Sequence, residues 1–371
     1  MTADWATKTI ADVCSVVNGG TPKTGVSEYW DGTHQWITPA EMGKRSSPYV
    51  ARTERTITDA GIQSSSARLL PPLSVILSSR APIGHLVINT EAMATNQGCK
   101  GLVPSDGLNH KYLYYYLSSI VQLLNDLGTG ATFKELSSGK LKEVPIPVPP
   151  LAEQQRIVAI LDEAFEAIAT ARANAEQNRQ NARALFDSVL NSVNGQPAAL
   201  GDYVSIKTGK LDANAAVEGG EYPFFTCSKE IYAIDKFAFD CEAILLAGNN
   251  AVGDFNVKHY RGKFNAYQRT YVITVNNEAQ LHYRFLYFQM LKSLKRFKEQ
   301  SVGAGTKFLK IGMIKGLVIY LPSLEEQKQL VSLLDSVLEE TQRLESLYQR
   351  KIAALDELKQ SLLQQAFSGQ L

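Results

Sequence analysis

Residues 149–162 read PPLAEQQRIVAILD, and residues 322–335 read PSLEEQKQLVSLLD. Seven of the fourteen positions are identical, at an offset of 173. The same offset aligns Leu113-Tyr114-Tyr115 with Leu286-Tyr287-Phe288, Gly130 with Gly303, Lys134 with Lys307 and Lys142 with Lys315. Further upstream the register drifts: Thr9-Ile10-Ala11-Asp12 resembles Ala199-Leu200-Gly201-Asp202. A fixed internal offset marks a chain built from repeated units. Here each unit is a globular stretch followed by a helix.

Both helices carry apolar or small residues at alternating four- and three-residue spacing. The first has Ile157, Leu161, Ala164, Ile168, Ala171, Ala175, Ala182, Leu185 and Val189. The second has Leu330, Leu334, Val337, Leu344, Tyr348, Leu355, Leu358 and Leu362. A period near 3.5 sustained this long predicts a coiled-coil seam. Asn178 and Lys351 interrupt it, either fixing register or sitting in solvent. Ser323-Leu324-Glu325-Glu326 predicts a capping box, Pro149-Pro150 opens the first helix, and Asn194, Gly195 and Pro197 close it. About 43 residues at 1.5 Å each would make the first helix roughly 64 Å long, the length of a spacer.

The 371 residues are 44% hydrophobic and 20% charged, enough for real cores. Net charge is +1, unevenly spread: +1 over 1–150, −2 over 151–193, +5 over 194–323 and −3 over 324–371. The apolar runs, such as Ala243–Ala247, are too short to cross a bilayer. Met1 to Ile10 lacks the pattern of a secretion signal. Cys14, Cys99, Cys227 and Cys241 form no CxxC pair, which fits idle thiols in a reducing cytosol. The globular parts alternate β-like runs (Leu73–Leu77, Tyr271–Val275) with aromatic helical stretches (His110–Leu127, His282–Glu299).

Enzymatic signatures are missing from the sequence. There is no GxxxxGK[ST] loop, no glycine-rich methyl-donor loop with its Pro-Pro-aromatic tetrad, and no metal-ligand spacing among the five histidines. Asp162-Glu163-Ala164-Phe165 resembles a helicase acidic motif but lies inside the helical repeat.

Several loops instead set small polar residues beside a cation. In the first unit they supply Thr21, Lys23, Ser79, Arg80, Gln97, Lys100, Thr132 and Lys134; in the second, Asn249, Asn250, Lys263, Gln268, Arg269 and Lys307. Glycines let backbone approach phosphate, Arg, Gln and Asn read purine edges, and Lys and Thr hold phosphates. Any one such loop is an ordinary turn, but similar loops in both units point to DNA. The run Lys292, Lys295, Arg296, Lys298 reads as the solvated face of a helix.

Over nearly its whole length the chain resembles the specificity subunits of Type I restriction-modification systems. The match is carried by Trp36-Ile37-Thr38, Ser78–Gly84, Asn96-Gln97-Gly98, and Gly130–Leu136 leading into Ile146–Gln154. In the second unit Tyr222-Pro223-Phe224, Gly262–Ala266, Gln268–Tyr271 and Gln365–Leu371 carry it. The resemblance implies an α+β fold with two mixed α/β target-recognition domains, 1–150 and 196–323. These would be separated by two long antiparallel coiled-coil helices, 151–195 and 324–371, in a pseudo-two-fold internal repeat. It implies a non-catalytic, cytoplasmic protein that binds double-stranded DNA at a bipartite asymmetric site. It implies partnership with two modification (methyltransferase) subunits and with restriction subunits, which would bind the S-adenosylmethionine, ATP and magnesium. Because the two helix starts stay alike while the rest diverges, Glu153, Gln154, Glu326 and Gln327 are expected to dock one partner twice. The competing readings are an enzyme with an unrecognised site and a coiled-coil scaffold that binds only protein.

Overall fold

A computed structural model describes residues 5–80, 82–130 and 134–371. The chain forms two compact units, one of residues 1–174 with 351–371, the other of residues 175–350. Two long helices, Leu151–Asn191 and Leu324–Phe367, contribute to both.

In the first unit a five-stranded sheet runs in the order Cys14–Asn18, Cys99–Pro104, Val75–Ser79, Ile83–Asn89, Tyr49–Val50. A three-stranded sheet of Arg55–Ile57, Trp30–Ile37 and Met93–Thr95 lies in the same unit. The expected strand at Leu73 begins instead at Val75, because Leu73 has φ of 66°, outside the extended region. The helices His110–Ser119 and Val121–Leu127 cover the stretch expected to be helical. Asn109 caps the former, its side chain accepting from Lys111 N and Tyr112 N at 2.9 and 3.0 Å. Tyr112 and Tyr116 lie edge-on to Phe367, each at 5.2 Å between ring centres. Leu363 and Ala366 are buried in the same core as Ile157 and Leu161. The start of one long helix and the end of the other thus close this core, running antiparallel: Arg172 pairs with Asp356, and Arg156 donates to the Leu371 carbonyl.

In the second unit a six-stranded sheet runs Val204–Thr208, Thr270–Val275, Phe239–Ala247, Val257–Ala266, Tyr222–Phe225, Tyr232–Ile234. Helices Tyr283–Lys292 and Leu294–Gln300 pack on it, with Phe285, Leu286, Phe288 and Phe297 fully buried. Phe186, Leu190, Val193 and Leu334 complete this core. Here too the helical segments are antiparallel, Thr341 Oγ1 donating to the Ala182 carbonyl at 3.3 Å and Arg179 to Gln349 at 3.0 Å. Lys292 donates to the Asn191 carbonyl at 3.2 Å, placing a cation at the helix end where carbonyls lack partners.

The seam departs from the sequence expectation at two places. Leu185 is 60% exposed and Phe186 is buried; Leu358 is 46% exposed and Leu363 is buried. At Leu185 and Phe186 apolar side chains at adjacent positions left the choice open, and the core of the second unit took the larger; in the first unit the core takes Leu363, five residues beyond Leu358. Asn178 and Lys351 are both exposed, the solvated alternative, whereas Thr341 is a polar residue buried between the paired helices.

The expected docking residues need a larger correction. Gln154 and Gln327 are wholly buried. Gln154 Oε1 accepts from Asn109 N at 2.8 Å, while its Nε2 donates to the carbonyls of Gly107 (3.0 Å) and Pro149 (2.9 Å). Gln327 repeats this with His282 N (2.9 Å), Gln280 O (2.9 Å) and Pro322 O (3.0 Å). Each amide clamps the loop entering the unit's aromatic helix to the start of a long helix, so neither side chain offers a partner a surface. Glu326 closes the capping box with Ser323, accepting from its N and Oγ at 2.9 and 2.7 Å. Glu153 binds Arg156 through two bonds of 2.7 and 2.8 Å. Asp162, from the helicase-like tetrad, takes Lys111 Nζ at 2.6 Å and the Tyr115 hydroxyl at 2.5 Å. Its repeat counterpart Asp335 takes Arg284 at 2.6 Å.

Candidate nucleic-acid interface

In the first unit, four of the polar loops converge at one end of the five-stranded sheet. The strand Val75–Ser79 ends where Ser79 N donates to Gly98 O at 2.7 Å and Ser79 O accepts from Leu136 N at 2.8 Å. Thr129 and Glu135 exchange both backbone bonds, closing the loop that carries Lys134. Asn96 Nδ2 donates to Thr21 Oγ1 at 2.9 Å, and Thr21 bonds Gln97, which joins the loop after Asn18 to the group. That loop enters by close backbone approach: a Cβ at Gly19 would stand 1.9 Å from Asn96 O, and one at Gly20 would stand 2.2 Å from Ala67 N. Trp36 Nε1 fixes the Gly20 carbonyl at 2.9 Å.

The Arg80 side chain is 35% exposed, and its guanidinium lies 3.8 Å from Glu135. It crosses Gly98, where an added Cβ would meet Arg80 Nε at 3.1 Å. Gln97, Lys134 and Lys23 are exposed and Thr21 half-buried. Ser79 and Lys100 are not available to a ligand, Ser79 being fully buried and Lys100 only 7% exposed. Burial holds the Lys100 ammonium below its ordinary pKa, opposed by Glu135 and reinforced by Arg80. Ser79 precedes Arg80 in the chain, and Lys100 lies near enough to feel its charge. Thr132 lies outside the described residues.

The second unit builds the same framework with other side chains. Gly248 N donates to Arg269 O at 2.8 Å, Gly248 O accepts from Leu309 N at 2.9 Å, and Val302 and Phe308 exchange both backbone bonds. Asn250 pairs with Lys307 across a short antiparallel ladder. Gln268 and Arg269 are exposed, and Gln268 Nε2 reaches Asp212 at 3.3 Å. Gly248 has no room for a side chain, since a Cβ would lie 2.8 Å from the Tyr271 ring. Asn249, Asn250, Gln268, Arg269 and Lys307 therefore share one site. Lys263 is placed elsewhere on the ladder, opposite Asp240, with its ammonium 4.8 Å over the Phe237 ring.

The matched bonds give a residue-by-residue correspondence. Ser79 answers to Gly248, Arg80 to Asn249, Gln97 to Gln268, Gly98 to Arg269, and Lys134 to Lys307. The sequence reading missed Glu135 and Asp212, the acidic residues beside Arg80 and Gln268, and Asn96, which ties in Thr21. Asn96 and Gln97 were visible as a polar pair before a glycine; the acidic partners have no local signal. Among the described residues no group of three or more His, Cys, Asp or Glu could hold a metal ion. Nor is any helix among them long and apolar enough to cross a membrane.

One framework carrying two different sets of polar side chains defines a two-module recognition protein. The family described as Type I restriction modification DNA specificity domain matches residues 2–177 and 194–353, and the chain belongs to that family. It is 41% identical over 160 residues to the MjaIX specificity subunit of Methanocaldococcus jannaschii, covering 43% of this chain and 37% of that one. Against the EcoDI specificity subunit of Escherichia coli it is 37% identical over 179 residues, 48% of this chain and 39% of that one. The chain thus matches about two-fifths of the length of these two relatives. Against the EcoprrI specificity subunit of Escherichia coli identity is 24% over 352 residues, 88% and 86% of the two chains. A solved chain described under "Structural basis underlying complex assembly and conformational transition of the type I R-M system" has a TM-score of 0.81 at 17% identity, covering both chains fully. The HsdS subunit from Thermoanaerobacter tengcongensis has a TM-score of 0.61 at 17% identity over 99% and 97%. These two likenesses establish the fold.

Proposed function

We propose that this chain is the non-catalytic specificity subunit of a cytoplasmic Type I restriction-modification enzyme. It reads a bipartite, asymmetric site in double-stranded DNA, one half per unit, and brings two methyltransferase subunits and the restriction subunits to that site. Those partners supply the S-adenosylmethionine, ATP and magnesium chemistry. The observation that carries this reading is the repeated framework whose matched positions carry different residues: Arg80 and Gly98 in one unit, Asn249 and Arg269 in the other. Equal frameworks supply equal geometry for a duplex, and unequal side chains supply unequal base preferences. Thr21, Lys23, Gln97 and Lys134 on the first unit, and Asn250, Gln268 and Lys307 on the second, complete the contacts. The test is to assemble the chain with its methyltransferase subunits and map modified bases on a genomic library. A non-palindromic motif in two separated halves is expected. A single continuous motif, or two identical inverted halves, would overturn the reading.

A further inference from the structure

The correspondence between units contains an exchange. At one framework position the first unit has Arg80 and the second Asn249; at the facing position the first has Gly98 and the second Arg269. These two positions lie against each other, because the Arg80 side chain passes over Gly98 within 3.1–3.2 Å of where a Cβ would stand. Gly98 is outside the left-handed region, so its backbone accepts a side chain; a Cβ there would press on Arg80 Nε at 3.1 Å and on Arg80 Cγ and Asn96 Oδ1 at 3.2 Å, so both side chains would have to give by a few tenths of an ångström. Each unit holds one arginine at this pair of positions, rooted on a strand end in the first unit and on the facing loop in the second.

We infer that this single guanidinium is the specificity-determining group of each half-site, delivered to the same place by Arg80 in one unit and by Arg269 in the other. The inference rests on the DNA-binding reading above. A planar guanidinium can make two parallel bonds to a guanine edge, and one wrongly placed loses both. Glu135, 3.8 Å from Arg80, positions it; beside Asn249 the second unit has Phe308 instead. The root of the arginine can change while its head group stays, which keeps a guanidinium at each half-site while altering its neighbours.

The test uses the full chain assembled with its methyltransferase subunits and a duplex bearing the mapped site, with panels in which one half-site at a time is altered. Arg80→Asn should weaken binding about 10- to 100-fold and relax discrimination at one half-site only. Gly98→Arg alone should also weaken it, since the added side chain displaces Arg80. The double variant R80N/G98R should bind within about threefold of the parent with discrimination restored. The reciprocal pair N249R/R269G should restore what R269G loses, at the other half-site, and keeps the test alive if the first pair folds poorly. If the parent complex shows no preference for the duplex, the DNA-binding reading itself falls. If the parent binds but neither double variant, folded and assembled, recovers over its single, the exchange is overturned.

Discussion

The buried glutamines make a sharp case for perturbation. Gln154→Glu keeps every heavy atom in place yet reverses one end of the amide. The carboxylate still accepts from Asn109 N, but its other oxygen now faces the Gly107 and Pro149 carbonyls, 3.0 and 2.9 Å away. Two donated bonds vanish, two carbonyls lose their donor, and a charge sits at a wholly buried position. An unpaired charge of this kind costs about 3–5 kcal/mol, against a typical domain stability of roughly 5–15 kcal/mol. In urea that is a fall in midpoint on the order of 1–2 M. All three tryptophans, Trp5, Trp30 and Trp36, lie in the first unit, so their fluorescence follows the unit that Gln154 serves. The new carboxyl has its folded pKa raised by burial. The penalty is therefore small below the unfolded value of about 4.3, grows as pH rises from there to the folded value, and levels off above it. Gln155→Glu, on the exposed neighbour, should change stability by less than about 0.5 kcal/mol. A Gln154→Glu chain that unfolds at the parental midpoint at pH 7 would refute the clamp.

Two further outcomes follow from the packing. Phe186→Ala should cost the second unit about 3–4 kcal/mol in thermal or denaturant unfolding and Leu185→Ala less than about 0.5, the reverse of what the heptad pattern alone implies. Burial pushes the Cys14 and Cys99 thiols up to about 12, so both should resist iodoacetamide in the folded chain at pH 8, and mass spectrometry should find Cys227 and Cys241 labelled first. Because both folded values are raised, the stability these thiols lend is complete below the ordinary thiol range. It is lost as pH rises from about 9 toward 12.

The repeat, both long helices and most loops of the site were legible in the sequence, because each depends on local pattern. What escaped depends on distant neighbours. Gln154 reads as an exposed polar residue in a first helical turn; it is buried because a loop some forty-five residues earlier folds over it. Leu185 and Phe186 are equally apolar, and only the core of the second unit selects between them. The Arg80–Arg269 relation was hidden for a different reason. Gly98 has no side chain to match, and loops of unequal length shift the register between the repeats, so only the shared backbone bonds reveal which positions correspond. Ser79 and Lys100 have the residue type of a phosphate contact and sit in the right loops, but the sheet end buries both.

The first unit is discontinuous in the chain, residues 1–174 closed by 351–371, while the second is the uninterrupted stretch between. During synthesis the first unit's core therefore stays open until Leu363, Ala366 and Phe367 emerge to cover Tyr112 and Tyr116. At roughly 5–20 residues per second that interval lasts on the order of tens of seconds. Throughout it an apolar surface is exposed on a nascent polypeptide whose second unit already has all its residues earlier in the queue. A nascent chain from which residues 175–350 have emerged and residues 351–371 have not thus leaves the half made first unfinished and the half made later able to fold, which makes the earlier half the natural substrate for chaperones and proteases.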